Sequence, residues 1–165
     1  MSFLEYTKKD TPLHNLHPLT KIMIFLLFVI VTGLYWDYKY LLVTCVIAGI
    51  LYYIARIPLS WLKPVVAILL VSIPVHLWLA LFQTNPELYK VYPREIVSKE
   101  ILIVNLPILG KAGLTYGNVL WFTGWLLKWV AVLLAVCVFT HTTSPSEFAH
   151  LMSALKFPPT LIYIY

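Results

Sequence analysis

The stretch that decides the fold occupies positions 113–157 and reads GLTYGNVLWFTGWLLKWVAVLLAVCVFTHTTSPSEFAHLMSALKF. Its first part is apolar over a length sufficient to cross a bilayer and is interrupted only by Lys128. The segment His141-Thr142-Thr143 breaks this pattern, and Ser144-Pro145-Ser146-Glu147 starts a second, short helix. The pattern predicts a membrane span followed by a capped helix at one membrane surface. At that surface the helix is expected to contact another molecule or to transmit force to it.

The short helix begins with a capping box, because a serine is followed three residues later by a glutamate, with proline at the first helical position. Its apolar residues then recur at i, i+3, i+4 and i+7, which places them on one face. Such a helix packs along a membrane surface or against another protein. The candidate partner contacts are Ser144, Glu147, Phe148, Leu151, Met152 and Leu155.

The composition of the whole chain predicts an all-α integral membrane protein. Hydrophobic residues make up 61% of the 165 positions, charged residues only 12%, and the mean hydropathy is +0.84. We expect about four transmembrane helices in residues 1–139, followed by a short cytoplasmic amphipathic helix and the start of an incomplete coupling region in residues 140–165. The expected spans are about 20–36, 40–55, 64–84 and 111–139. Residues 85–110 are too charged for a span and fit an extended or hairpin-like outer loop.

The distribution of cations predicts the orientation. An even number of spans puts both termini on one side, and the short flanks of that side are rich in basic residues. We therefore expect both termini to be cytoplasmic, in a multi-pass protein of the cell membrane. The net charge of +5 then indicates a cytoplasmic membrane face and not a nucleic-acid partner. These basic residues are Lys8, Lys9, Lys21, Arg56, Lys63 and Lys156.

Two polar residues fall inside predicted spans. Lys128 must face a partner helix, a carbonyl or a wet crevice, or else extend towards the cytosolic interface; the sequence leaves these alternatives open. His76 follows Pro74, so a hydrogen bond to the backbone that the proline frees is favoured over a polar pathway. Gly113 and Gly117 stand four apart, a spacing that lets two membrane helices pack closely.

Catalytic and metal-binding signatures are missing from the sequence. It has no phosphate-binding glycine loop, no nucleophile elbow and no acidic residue inside a predicted span, so we expect neither an enzyme nor a bound cofactor. Cys45 and Cys137 fit small apolar core positions. The pair His14-x-x-His17 could meet His141 at the cytoplasmic face, but scattered interfacial histidines are far more common than a metal site, and none is assigned.

Three segments resemble the transmembrane (T) component of energy-coupling factor (ECF) transporters, the EcfT or CbiQ type. His17-Pro18-Leu19-Thr20-Lys21 is similar to that family's Asp-Pro-x-x-Lys entry to the first span, and Gly110-Lys111-Ala112-Gly113-Leu114 to its Thr-Arg-Glu-Gly-Leu. Lys128 falls where the family often has arginine. The most specific match is Thr142-Thr143-Ser144-Pro145-Ser146-Glu147-Phe148 with Leu155-Lys156-Phe157-Pro158, which resembles Thr-Thr-Ser-Pro-Glu-Glu-Leu and Leu-Gly-Leu-Pro.

This resemblance implies a scaffold or permease subunit of an ABC importer. Such a subunit joins two cytoplasmic ATPases to a substrate-binding membrane protein, the S component, for uptake of a vitamin or a transition-metal ion such as cobalt. The family's coupling motifs would follow position 165, so we expect the chain to be truncated. The alternative is a stand-alone S-type protein that binds a small ligand among its own helices. A structural membrane protein without a transport role is a third possibility.

Overall fold

The computed structural model describes residues 9–82, 88–106 and 110–156, which are mostly helical. The helices are α1 (Pro18–Leu34), α2 (Tyr38–Ile54), α3 (Leu62–Phe82), α4 (Leu88–Val91), α5 (Arg94–Val97), α6 (Tyr116–Thr142) and α7 (Pro145–Ala154). A 3-10 turn at Leu59–Trp61 precedes α3, and two antiparallel strands, β1 (Glu100–Leu106) and β2 (Gly110–Thr115), precede α6.

Helix α6 is the central element, because α1, α2 and α3 all pack against it. At 27 residues it is about 40 Å long. Small side chains bring the helices together: Ala131 and Ala135 of α6 and Ala48 of α2 are buried. The thiol of Cys45 donates to the Leu127 carbonyl across the same interface, with Sγ 3.0 Å from the oxygen. The long helix of the stretch that decides the fold is therefore also the spatial centre of the bundle.

The four long helices alternate in direction, so the bundle has two distinct ends. At one end, the start of α1 meets the end of α6 through Lys21 and Thr142, and Trp61 beside α3 packs on His141. We call this the Lys21 end. At the other end, Trp36 between α1 and α2 stacks on Trp121 near the start of α6. The alternation agrees with the predicted order of spans.

The strand pair corrects the all-α prediction. Its register joins Ile103 to Gly113 and Glu100 to Thr115, so the hairpin-like loop expected before the last long helix is present. The last helix consequently starts at Tyr116 and not near position 111, with the Thr115 hydroxyl accepting from the Asn118 amide at its first turn. The β-branched residues of positions 101–104 favour strand over helix, which explains why pairing continues up to the cap.

The two glycines predicted to pack helices do not share a helix. Gly113 lies in β2, where an added Cβ would be 3.2 Å from Ile103 Cγ1. Gly117 lies in the first turn of α6, against the backbone and side chain of Val97 in α5. The interpretation as a helix-packing motif is therefore wrong, because the helix begins between the two residues. Gly117 nevertheless allows a close approach, between α6 and α5.

A hydrogen bond between Tyr92 and Asp37 links two segments at the end of the bundle opposite the Lys21 end. The Tyr92 hydroxyl donates to Asp37 Oδ1 at 3.0 Å, and Asp37 also caps α2 by accepting from the Lys39 amide. Burial, and secondarily the neighbouring Asp37 carboxylate, raises the pKa of Tyr92 to about 12. Tyr92 therefore stays neutral and keeps donating at ordinary pH.

The outer surface of the bundle is apolar. Two helical stretches, Leu59–Leu81 and Tyr116–Thr142, are long and apolar enough to cross a membrane. In the first, only 11% of the most apolar window is buried, so its hydrophobic side chains point away from the protein. Helices α1 and α2 are apolar but only 17 residues long, so the number of four spans stays a prediction.

Candidate functional site

The most constrained feature at the Lys21 end is the connection between α6 and α7. The Lys21 ammonium, which is buried, donates to the Thr142 carbonyl at 2.6 Å and lies 3.4 Å from Glu147 Oε2. Glu147 also accepts from the Ser144 amide at 3.2 Å, while Ser144 Oγ accepts from the Glu147 amide at 3.1 Å. We call the four residues Lys21, Thr142, Ser144 and Glu147 the Lys21 junction.

The charges of the Lys21 junction match the helix ends that meet there. The last carbonyls of α6 carry partial negative charge, so an ammonium against Thr142 is favourable. The first turn of α7 carries partial positive charge, which suits the Glu147 carboxylate. Lys21 contacts both groups and thereby links the end of α6 to the start of α7. The predicted capping box is present, and it forms part of a contact that includes α1.

One part of the predicted apolar stripe of α7 packs against the bundle, and the other part is exposed. Phe148 packs edge-on against Phe139 of α6, with ring centroids 6.3 Å apart. Leu151 is buried and Met152 is half-buried, whereas Leu155 is 53% exposed. The inner part of the stripe therefore holds α7 on the bundle, and Leu155 is the member most accessible to a partner.

A surface groove of about 290 Å³ follows the inner edge of α7. His17 and Pro18 of the α1 entry form one side, and Glu147, His150 and Leu151 lie on the other. His17 caps α1, since its Nδ1 accepts from the Leu19 amide at 3.3 Å. The groove thus lies between the α1 entry and α7, and its surface is mostly apolar although His17, Glu147 and His150 border it.

Two of the three histidines considered as a possible metal site, His14 and His141, lie close together. The rings of His14 and His141 lie 5.9 Å apart, whereas His17 belongs to the groove beside α7. Neither ring nitrogen of buried His141 has a hydrogen-bond partner within residues 9–82, 88–106 and 110–156. Those same ranges contain no group of three side chains able to hold a metal ion.

Lys128 and His76 both belong to an aromatic cluster away from the Lys21 end. Lys128 Nζ lies 3.7 Å from the centre of the Trp36 ring, a cation–π contact, so the lysine extends towards the start of α6 and not towards the Lys21 end. His76 stacks on Trp125 at 3.6 Å, and its Nδ1 donates to the Ser72 carbonyl. Pro74 lacks the backbone N–H that would bond the Leu70 carbonyl, and the predicted partner of His76 was that freed carbonyl. His76 bonds the Ser72 carbonyl instead.

Sequence reasoning missed the contacts of Lys21, which was considered only as a flanking cation and as part of the motif at the start of the first span. A usable signal existed: Lys21 is the one basic residue of α1 and Glu147 the one acidic residue of α7. Single opposite charges on otherwise apolar or neutral helices at the same bundle end are expected to pair. That pairing required knowing which helix ends are neighbours.

Lys156 ends α7 in a conformation that favours glycine, since its φ is 58°. We expect Lys156→Gly to stabilise the end of α7 by about 1 kcal/mol, because glycine adopts this conformation without a Cβ clash. Amide hydrogen exchange within α7 measures the change and should slow about fivefold. Ser153→Gly, at an exposed position inside the helix, is the matched control and should have the opposite sign. Equal effects of the two glycines would contradict the prediction.

Comparison with protein-family models, with curated proteins and with solved structures found no match to this chain.

Proposed function

We propose that the chain is a multi-pass membrane protein that spans the bilayer with α1, α2, α3 and α6. The support is the surface of the bundle: Leu27 on α1, Val46 on α2 and Val71 on α3 are 59%, 55% and 78% exposed. Water would penalise so many exposed apolar side chains, whereas lipid would not. The 17-residue helices are short for a hydrocarbon core of about 30 Å, and local thinning with interfacial tyrosines such as Tyr35 and Tyr40 accommodates them.

In this proposal the Lys21 end faces the cytoplasm. Lys9, Arg56 and Lys63 belong to this end, and the connection from Arg56 to Lys63 contains no acidic residue. Cations in short segments beside spans favour the cytoplasmic side. The strand pair would then lie on the outer side, and α7 would lie on the cytoplasmic surface.

The proposed activity is that of a membrane scaffold, the permease subunit of an ECF-type ABC importer. Two cytoplasmic ABC ATPases and a substrate-binding S component would be its partners, and ATP hydrolysis in the ATPases would drive uptake of a vitamin or a transition-metal ion. The single observation that carries this proposal is the Lys21 junction, which links a surface helix to two bundle helices. A helix that transmits movement between an ATPase and a membrane bundle needs such an attachment.

Exposed residues of α7 are the proposed contact with the ATPases. A photo-crosslinking amino acid at Leu155, introduced into the tagged protein in its native membrane, is expected to capture ATP-binding subunits. The control position is Leu34, which is 73% exposed and lies at the opposite end of α1. Adducts with ATPases from Leu155 and none from Leu34 would support the proposal. Repeated purification without ATP-binding proteins, together with no adduct from Leu155, would overturn it.

The alternative, a stand-alone protein that binds a small ligand among its long helices, finds less support inside the bundle. The cavity among α1, α2 and α6, lined by Phe25, Phe28 and Leu51 among others, has room of about 20 Å³. That space suits one water molecule, whereas small-molecule sites occupy about 300 Å³ or more.

A further inference from the structure

A second groove, of about 810 Å³, opens at the Lys21 end between the N-terminal segment and the end of α2. Asp10 and Thr11 line one side, and Arg56 and Leu59 line the other. It is distinct from the groove beside α7 and has the volume of a small-molecule site. We refer to it as the Arg56 groove.

Arg56 and Asp10 line the Arg56 groove, and Lys9 lies beside it through a hydrogen bond to the Arg56 backbone. Arg56 is exposed, and Lys9 Nζ donates to the Arg56 carbonyl at 2.6 Å. An ammonium has three N–H donors, so this bond leaves Lys9 two for another acceptor. Asp10 opposes them, but its carboxylate accepts from Asn15 Nδ2 at 2.9 Å. The neutral amide leaves the carboxylate charged, so the two cations exceed the one acid by a single positive charge. Arg56 and Lys9 supply N–H donors suited to a phosphate.

Arg56 occupies a position that ordinarily favours glycine. Its φ is 52°, directly after the last turn of α2. A side chain there costs about 1 kcal/mol relative to glycine. Its positive charge suits the carboxyl end of α2, where the last carbonyls carry partial negative charge.

The outer rim of the same groove is apolar. Tyr53 is 83% exposed, Leu59 is 75% exposed and Ile54 is 38% exposed, all of them lining residues. Cations next to exposed apolar side chains match a molecule that has an anionic head and apolar chains. Free phosphate would use the first property only.

We propose that the Arg56 groove binds the headgroup of an anionic phospholipid, with Arg56 and Lys9 on the phosphate and the acyl chains along Ile54 and Leu59. This inference rests on the proposed membrane location, in which the Lys21 end meets the cytoplasmic leaflet. Basic pockets on that side of a membrane bind acidic headgroups. The bound lipid would hold the N-terminal segment against the end of α2.

The test is lipid retention by the purified protein. The protein is reconstituted in vesicles of phosphatidylglycerol and phosphatidylcholine in equal amounts, extracted in mild detergent and analysed by native mass spectrometry. Wild type should retain phosphatidylglycerol preferentially. The Arg56→Gly variant should retain about fivefold less phosphatidylglycerol than wild type, because it lacks one cation. The same variant relieves the backbone conformation, so its thermal stability should not fall. Lys63→Ala, an exposed lysine of the same end outside the groove, is the control and should behave as wild type.

Three outcomes would overturn the lipid proposal: equal retention of both lipids by wild type, unchanged retention by Arg56→Gly, or displacement of the lipid by inorganic phosphate alone. The last would identify a free anion as the occupant. Alkaline carbonate extraction of the native membrane separates this result from failure of the proposed function. Release of the wild-type protein by carbonate would contradict the membrane location itself. Retention in the membrane without lipid selectivity would contradict the groove alone.

Discussion

Gly117→Ala is expected to lower the free energy of unfolding by about 3 kcal/mol. The new Cβ would lie 2.5 Å from Val97 Cγ1 and 2.8 Å from the Val97 carbonyl oxygen. The Val97 side chain is fully buried, and a backbone oxygen cannot move aside by rotating a side chain. Helix α5 would have to separate from the first turn of α6, which would also disturb the Thr115 cap. Thermal unfolding in detergent, followed by circular dichroism, measures the loss.

Gly124→Ala is the matched control for this substitution. Gly124 is also buried in α6, but its added Cβ would meet Leu41 Cδ1 at 3.6 Å, an ordinary van der Waals contact. Gly33→Ala in α1 adds a Cβ with nothing within 4 Å and should be neutral or slightly stabilising. If all three alanine variants unfolded alike, the close contact between α5 and α6 would be refuted.

Lys21→Met is expected to cost about 2 kcal/mol and to loosen α7 from the bundle. The substitution keeps the apolar part of the side chain but leaves the Thr142 carbonyl and the Glu147 carboxylate without their shared donor. The loss is smaller than for a fully buried ion pair, because Glu147 is 37% exposed at its side chain and water can replace part of the contact. Hydrogen exchange in α7 should accelerate more than in the centre of α6.

The ion pair itself is isolated by a double-mutant cycle with Glu147→Gln, in which coupling of about 1 kcal/mol is expected. Lys63→Met removes an exposed lysine from the same end and should leave α7 unchanged. Additive effects of Lys21→Met and Glu147→Gln would show that the two side chains act independently. Unaltered exchange in α7 after Lys21→Met would exclude the Lys21 junction as the attachment of that helix.

The sequence predicted local features well where the cause is local. The capping box of Ser144 and Glu147 depends on atoms three residues apart, and the structure contains it. The hairpin-like loop before the last long helix was also anticipated, because β-branched residues favour strands over this short distance. The exact start of α6 was misplaced, since the Gly113 and Gly117 spacing was interpreted as one helix when the boundary lies between them.

Features that depend on neighbours in space were not predictable in the same way. The sequence offered Lys128 several environments, and only the packed turn between α1 and α2 places Trp36 beneath its ammonium. Leu151 and Leu155 are equivalent in the helical pattern, yet one is buried against the bundle and the other is exposed. Periodicity identifies a face of a helix but not what covers each part of it.

The sequence by itself determined that the chain is dominated by apolar helices. It also determined that a capped short helix follows the long helix α6, and at which residues that cap lies. These properties follow from composition and from contacts within one or two turns. The tertiary structure alone decided that Lys21, 121 residues before Thr142, donates to the carbonyl at the end of α6. It also decided that Val97 packs directly against Gly117. Such pairings arise only once the helices pack, because a buried ammonium needs acceptors and a buried backbone needs space, and both are supplied by distant parts of the chain.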